Sequence, residues 1–146
     1  MLSQHSVSEV LANRKFVAVT GDTRVSRVAE LMEKNHVGAV MVTDKRSRHL
    51  EGICTERDIV FGVVAAGLDA STVSVDSVMC AAPQTITPDK PFGHALHMMY
   101  EGGFHHIPVV EDGHPVGILS ARDALGLDAC QLEEELVRRE EITTIL

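Results

Sequence analysis

The chain has no tryptophan, and aromatic residues make up only 3% of its 146 residues. A platform of stacked rings for single-stranded nucleic acid is therefore not expected. Cations are scarce too: thirteen Lys and Arg stand against twenty-one Asp and Glu, a formal net charge of −8. A broad nucleic-acid surface needs clustered Lys and Arg, so this balance argues against one, although a few positive groups in one cleft would still hold a small anion. Three cysteines, Cys54, Cys80 and Cys130, lie far apart and form no CxxC pair. Free thiols in a reducing compartment follow, and a structural zinc site does not. No apolar run reaches the roughly 18 residues that would suggest a membrane span. The opening MLSQHSVSEVLANRK lacks a basic start followed by an apolar stretch, so it does not read as a secretory signal. A cytoplasmic protein is the expectation. G-x-S-x-G, H-E-x-x-H, Walker A and G-x-G-x-x-G are all missing, which points away from an enzyme.

What is present is enough apolar residue for a core, 45% of the chain, and an internal repeat. Each half opens with a short apolar helix candidate, VSEVLA (7–12) and VDSVMC (75–80). Each continues into an extended segment, VAVTGD (17–22) and QTITPD (84–89). A helical pattern follows, with Val25, Val28, Ala29 and Met32 in the first half and Phe92, Ala95, Leu96 and Met99 in the second. Spacing of i, i+3, i+4, i+7 puts each set on one helix face. Next come VGAVMVTD (37–44) against FHHIPVVE (104–111), a polar turn, and then GICTERDIV (52–60) against GILSARDAL (117–125). The offset between the halves is 67 residues through the middle and 65 at the end, so the first turn is longer by two. Surface turns absorb such changes readily.

Each unit reads helix–strand–helix–strand–strand–helix, with the last two strands a hairpin. One such unit cannot bury its apolar face alone, but two packed sheet to sheet about a near two-fold axis can. The expected divisions are 5–68, 75–126 and a tail at 127–146. Residues 61–74 connect the halves, with Gly67 as a helix stop. The tail places Leu132, Leu136 and Val137 among charged residues and reads as an amphipathic helix that packs on the module or on a second copy.

This pattern resembles the CBS family, named after cystathionine beta-synthase, over about residues 5–126. The resemblance is carried by VAVTGD and TITPD before a helix, by VGAVMVTD and HHIPVVED, and by the endings GICTERD and GILSARD. Both copies occur in order. It implies an α/β fold of two β-α-β-β-α repeats and a stand-alone regulatory module without catalysis of its own. It also implies clefts that sense an adenine nucleotide (AMP, ADP, ATP, NADH or S-adenosylmethionine, with AMP or ATP foremost) and a flat homodimer.

The resemblance implies where that ligand would sit. Asp58 and Asp123 would accept the ribose hydroxyls, since a carboxylate offers two oxygens to two neighbouring donors. Thr55 and Ser120 stand at helix starts, where free N–H groups favour a phosphate. The same [ST]-x-x-D spacing is also a helix capping box that needs no ligand. His105, His106, Ile107 and Pro108 occupy a place where the family often has a basic residue near the phosphate. His can carry charge near pH 6.5, and an ordinary strand position is the equal alternative. Gly38, Ala39 and Val40 hold the matching place in the first half without a cation, so the two clefts should differ, the second having more phosphate-contact potential. Val19, Thr20, Ile86 and Thr87 would flank the adenine, with strand core as the alternative. Arg57 and Arg122 either neutralise phosphate or, the favoured reading, pair with neighbouring carboxylates. His94 and His97 share a helix face, but Leu96, Met98 and Met99 around them set a metal site aside. Cys54, in an apolar strand, reads as core.

Two functions of different classes remain: a nucleotide-sensing module, or a ligand-free dimerisation domain. The apolar faces Val25–Val28–Met32 and Phe92–Leu96–Met99 are the sequence basis for the dimer. Either module would act on a partner in trans or stand alone as a sensor or reservoir.

Overall fold

The computed structural model describes residues 4–125. The tail expected at 127–146 and Cys130 lie outside the described residues. Ser6 caps the first helix, α1 (Val7–Leu11), its hydroxyl accepting the Glu9 N–H at 3.1 Å. Strand β1 (Ala18–Thr20), helix α2 (Val25–Asn35) and the hairpin β2 (Ala39–Thr43) and β3 (Leu50–Thr55) follow. Helix α3 (Glu56–Ile59) widens into a π-type turn at Val60–Val64. Gly67, at φ +72, ends it in the left-handed region that glycine enters at no steric cost. The second half opens with a 3-10 turn at Val75–Ser77, then β4 (Cys80–Ala81), α4 (Phe92–Gly102) and the hairpin β5 (His106–Glu111) and β6 (His114–Ser120). Residues 122–125 are helical again.

The helical periodicity sorts burial almost as its spacing requires. Val25, Val28 and Met32 of α2 and Phe92, Ala95 and Met99 of α4 are buried, whereas Leu96 is partly covered and Ala29 is exposed. Both faces are spent inside the protein, so they cannot serve as dimer surfaces. Among the described residues, the large apolar side chains left exposed are Val60, Phe61, Val64 and Leu68 beyond α3, Tyr100 on the outer face of α4, and Leu125 after β6.

The first sheet has the order β1-β2-β3-β4. Strand β1 runs parallel to β2, with Ala18 opposite Met41, and β3 is antiparallel to both β2 and β4. In the second sheet β5 and β6 are antiparallel, His106 opposite Ser120. The strand expected over 84–89 contracts to Ile86 alone, which donates to Pro108 O at 3.1 Å and accepts from Val110 N at 2.9 Å. Continuing the ladder would need an N–H from residue 88 on one side and from residue 108 on the other, and both are proline.

Two cores result, and the opening helices are exchanged between them. Val7 and Leu11 of α1 lie in the core of the second half, with Phe92, Met99, Ile107 and Leu119. Val75 of the 3-10 turn lies in the core of the first half, with Val28, Val40, Val42 and Cys54. The backbone repeats the exchange in matched pairs. Val7 N donates to Lys90 O at 2.8 Å and Phe92 N to His5 O at 2.7 Å. Likewise Val75 N donates to Thr23 O at 2.8 Å and Val25 N to Val73 O at 2.9 Å. A near two-fold relation between the halves produces such doubling. It also means that neither core is complete without a segment from the other half.

Candidate functional site

The two [ST]-x-x-D elements close β3 and β6 and start the helices after them. At Thr55 the capping box is complete. Its hydroxyl accepts the Asp58 N–H at 3.3 Å, and Asp58 Oδ2 accepts the Thr55 N–H at 2.9 Å and the hydroxyl at 3.1 Å. At Ser120 the cap is looser: Asp123 Oδ2 accepts the Ser120 N–H at 2.8 Å, and the Ser120 hydroxyl accepts from Arg122 N at 3.2 Å. Both elements therefore work as caps, which the spacing alone allows. Each leaves a carboxylate at the head of a helix, close to where β2 and β5 begin: Glu56 N donates to Gly38 O at 3.0 Å, and Ala121 N to His105 O at 2.9 Å.

Around His106 the two halves meet. A side chain at Gly38 would run into the Glu56 carboxylate and come within 3.6 Å of His106 Nε2. The bare backbone there is what lets Glu56 of one half approach His106 of the other. Burial pushes the His106 pKa below its ordinary 6.5; the nearby Glu56 and Asp123 charges oppose that, while His105 and Arg122 reinforce it. The imidazole is thus neutral at pH 7, and a phosphate there would have to draw a proton onto it. His105 is exposed. The carboxylate pairing favoured for Arg57 and Arg122 is not found among the described residues; the Arg57 guanidinium instead lies 5.0 Å from the centre of the Phe61 ring. His97 pairs with Glu101 at 3.3 Å on the surface of α4.

Of the residues expected beside an adenine, Ile86 is a core side chain; of those expected nearer the phosphate, Val40 and Ile107 are core and Ala39 and Pro108 are covered as well. What they can present to a ligand is backbone. Strand β1 is a sheet edge, so one row of its N–H and C=O groups is not used by the ladder. Val19 is half-buried there. Thr20 and Thr87 make the same turn in both halves, donating to Asp22 and Asp89 respectively. Asp22 also takes Lys45 at 2.8 Å, and these bonds hold its pKa at about 2. Thr87 lines a shallow depression of about 480 Å³ with Ser6, Ser8, Pro88, Asp89, Glu111 and Asp112. Three carboxylates make that depression a poor host for a phosphate.

Cys54 is fully buried, and its thiol pKa is pushed up to about 12 by burial and then by the Asp58 charge. It is core and not a nucleophile.

Sequence reasoning missed Arg14. It forks onto Asp123, with Nη1–Oδ1 at 2.6 Å and Nη2–Oδ2 at 3.1 Å, across 109 positions of sequence. Asp123 is only 11% exposed, and Arg14 46%. The available signal was a break in the repeat: the place of Arg14 falls on Ala81 and Ala82 in the second half.

Comparison with known proteins returns one family. The model of the CBS domain matches residues 7–65 and again 75–129. The meiotically up-regulated gene 70 protein of Schizosaccharomyces pombe is 40% identical over 93 residues, 64% of this chain and 13% of that protein. A CBS domain-containing protein of Arabidopsis thaliana is 35% identical over 111 residues, 76% of this chain and 20% of that one. The chain thus spans a fifth or less of the length of these relatives. Among solved structures, a CBS domain protein of Pyrobaculum aerophilum complexed with AMP superposes with a TM-score of 0.75 at 29% identity, covering 82% of this chain and 89% of that one.

Proposed function

Because the chain belongs to the CBS domain family and carries the domain twice, we propose that this regulatory module senses an adenine nucleotide, AMP or ATP first among them, in the clefts between its halves. The observation that carries the reading is the pair of caps at Thr55–Asp58 and Ser120–Asp123. Each sets a carboxylate and a hydroxyl at the head of a helix, where the dipole favours an anion, so ribose hydroxyls and phosphate could be met at one place. Gly38 and the edge of β1 supply open backbone nearby. The AMP complex of the Pyrobaculum protein supports the ligand class.

A thermal-shift screen against AMP, ADP, ATP, NADH and S-adenosylmethionine, with GMP as control, tests it. A ligand that binds only the folded state raises the melting temperature with its occupancy. One adenine ligand should stabilise the wild type and fail to stabilise the Asp58→Ala/Asp123→Ala double variant. No shift with any of the five would sink the reading.

The second function, a dimerisation domain without ligand, draws on the exposed row Val60, Phe61, Val64 and Leu68. A homodimer is also part of the sensing reading, with this row and Leu125 at the contact. Sedimentation that finds only monomer at micromolar concentration would remove the dimer from both.

A further inference from the structure

Asp58 and Asp123 stand at matching places in the repeat, yet their oxygens are occupied differently. Asp58 uses Oδ2 for its own cap, and Oδ1 has no hydrogen-bond partner among the described residues. Asp123 has both oxygens engaged. Oδ2 takes the Ser120 amide and one arm of Arg14, and Oδ1 takes the other arm at 2.6 Å. A forked guanidinium presents two parallel N–H donors to a carboxylate. Two neighbouring hydroxyls of a ribose would present donors in much the same way, so Arg14 already stands where they would bind.

Arg14 is also directed there by its own turn. Ala12 and Asn13 both lie in the left-handed region, at φ 46 and 59, and Arg14 N donates back to Leu11 O at 2.9 Å. Two successive residues without glycine in this region cost energy. The turn that ends α1 is thereby set to send residue 14 over the mouth of the second cleft. In the second half Ala82 is also left-handed, at φ 46, but the place of Arg14 there falls on Ala81 and Ala82, neither of them a cation. The first cleft has no corresponding plug.

We propose that Arg14 decides which cleft takes the nucleotide: it holds Asp123 as a resident substitute for the ribose hydroxyls, so the cleft at Asp58 is the tight site. The proposal rests on the nucleotide reading above. It reverses the order expected from His105 and His106, which favours the second cleft. His106 is neutral at pH 7, so it gives a phosphate no charge to offset the loss of the Arg14 pair.

Calorimetric titration with AMP tests this on wild type, Asp58→Asn, Asp123→Asn, Arg14→Gln, Arg14→Lys and the double variant Asp58→Asn/Arg14→Gln. Wild type should show one tight site per chain, weakened about ten-fold by Asp58→Asn, since hydrogen bonds to a charged group are lost, and hardly changed by Asp123→Asn. Arg14→Gln should leave that site alone and tighten a second by about three-fold or more, the scale of an ion pair at the protein surface. In the double variant the tightened second site alone should remain strong. Arg14→Lys should fall between, because an ammonium cannot fork; it keeps the answer readable should Arg14→Gln fold poorly. If Asp123→Asn removes the tight site, or if Arg14→Gln weakens binding as loss of a phosphate contact would, Arg14 is not a plug while nucleotide binding stands. Absence of AMP binding in every variant overturns the nucleotide reading for AMP and this proposal with it.

Discussion

Replacing Leu11 by Ala is expected to loosen the second half of the protein, although Leu11 precedes the first half in sequence. Its side chain is 6% exposed and packs in the core formed by Phe92, Met99, Ile107 and Leu119. Both its Cδ atoms lie 2.8 Å from where a Cβ at Gly117 would be, so it sits directly on β6. Truncation leaves a cavity that Gly117, with no side chain, cannot fill. Buried Leu→Ala changes cost about 2–5 kcal/mol, and a site held by a rigid sheet belongs near the middle, about 3 kcal/mol. For a chain of this size that lowers the melting temperature by about 10 °C.

Thermal or urea melts give the size, and hydrogen exchange under native conditions gives the place. Local openings report the least stable region separately from global unfolding. Amides of β5 and β6 should lose protection before those of β2 and β3. Val75→Ala should do the reverse at a cost of about 2 kcal/mol, with fewer carbons removed, because Val75 belongs to the core with Val40 and Val42. Loss of protection in β2 and β3 on changing Leu11, or a cost under about 1 kcal/mol, would refute the exchange of segments.

The same contact predicts that Gly117→Ala costs about 1–3 kcal/mol by overpacking against Leu11. The cost should shrink in a Leu11→Ala background, as a double-mutant cycle by denaturant melts would record. Cys54, with its thiol pKa at about 12, should resist iodoacetamide at pH 8 while the exposed Cys80 reacts, which mass spectrometry of peptides reads directly. His106 makes stability depend on pH. Its folded pKa lies below 6.5, so below pH 6.5 the unfolded chain binds more protons than the folded one. Stability is complete above pH 6.5 and falls as the pH drops from there to the folded pKa, then levels for this group. Across that window the stability of His106→Gln should fall less steeply with decreasing pH than that of wild type, and an unchanged slope would remove His106 as the cause.

The repeat made most of the fold legible. The spacing at Val25, Val28 and Met32 and at Phe92, Ala95 and Met99 is buried where a 3.6-residue period puts it. The hairpins follow from apolar runs broken by DKRSRHLE and EDGHP. Two features were not legible. The strand at 84–89 fails because Pro88 and Pro108 lack the N–H groups its ladder would need, a local veto on a pattern copied from the first half. The exchange of α1 is invisible because matching repeats score the same whether a segment packs on its own unit or on its twin. Only the chain path decides, through Val7 to Lys90 and Val75 to Thr23.

The candidate site divides along the same line. Thr55, Asp58, Ser120 and Asp123 were legible as helix caps because each motif acts within four residues, where spacing fixes geometry. Which carboxylate is open is set by a residue far away in sequence, Arg14 against Asp123. A motif search ranks the two clefts by what each motif contains and so favours the half with two histidines. Electrostatics ranks them by what already occupies the carboxylate, and a guanidinium on both oxygens outweighs an imidazole that burial keeps neutral. The difference between the clefts therefore lies in residues where the two halves do not match, since matched residues, being the same on both sides, cannot distinguish them.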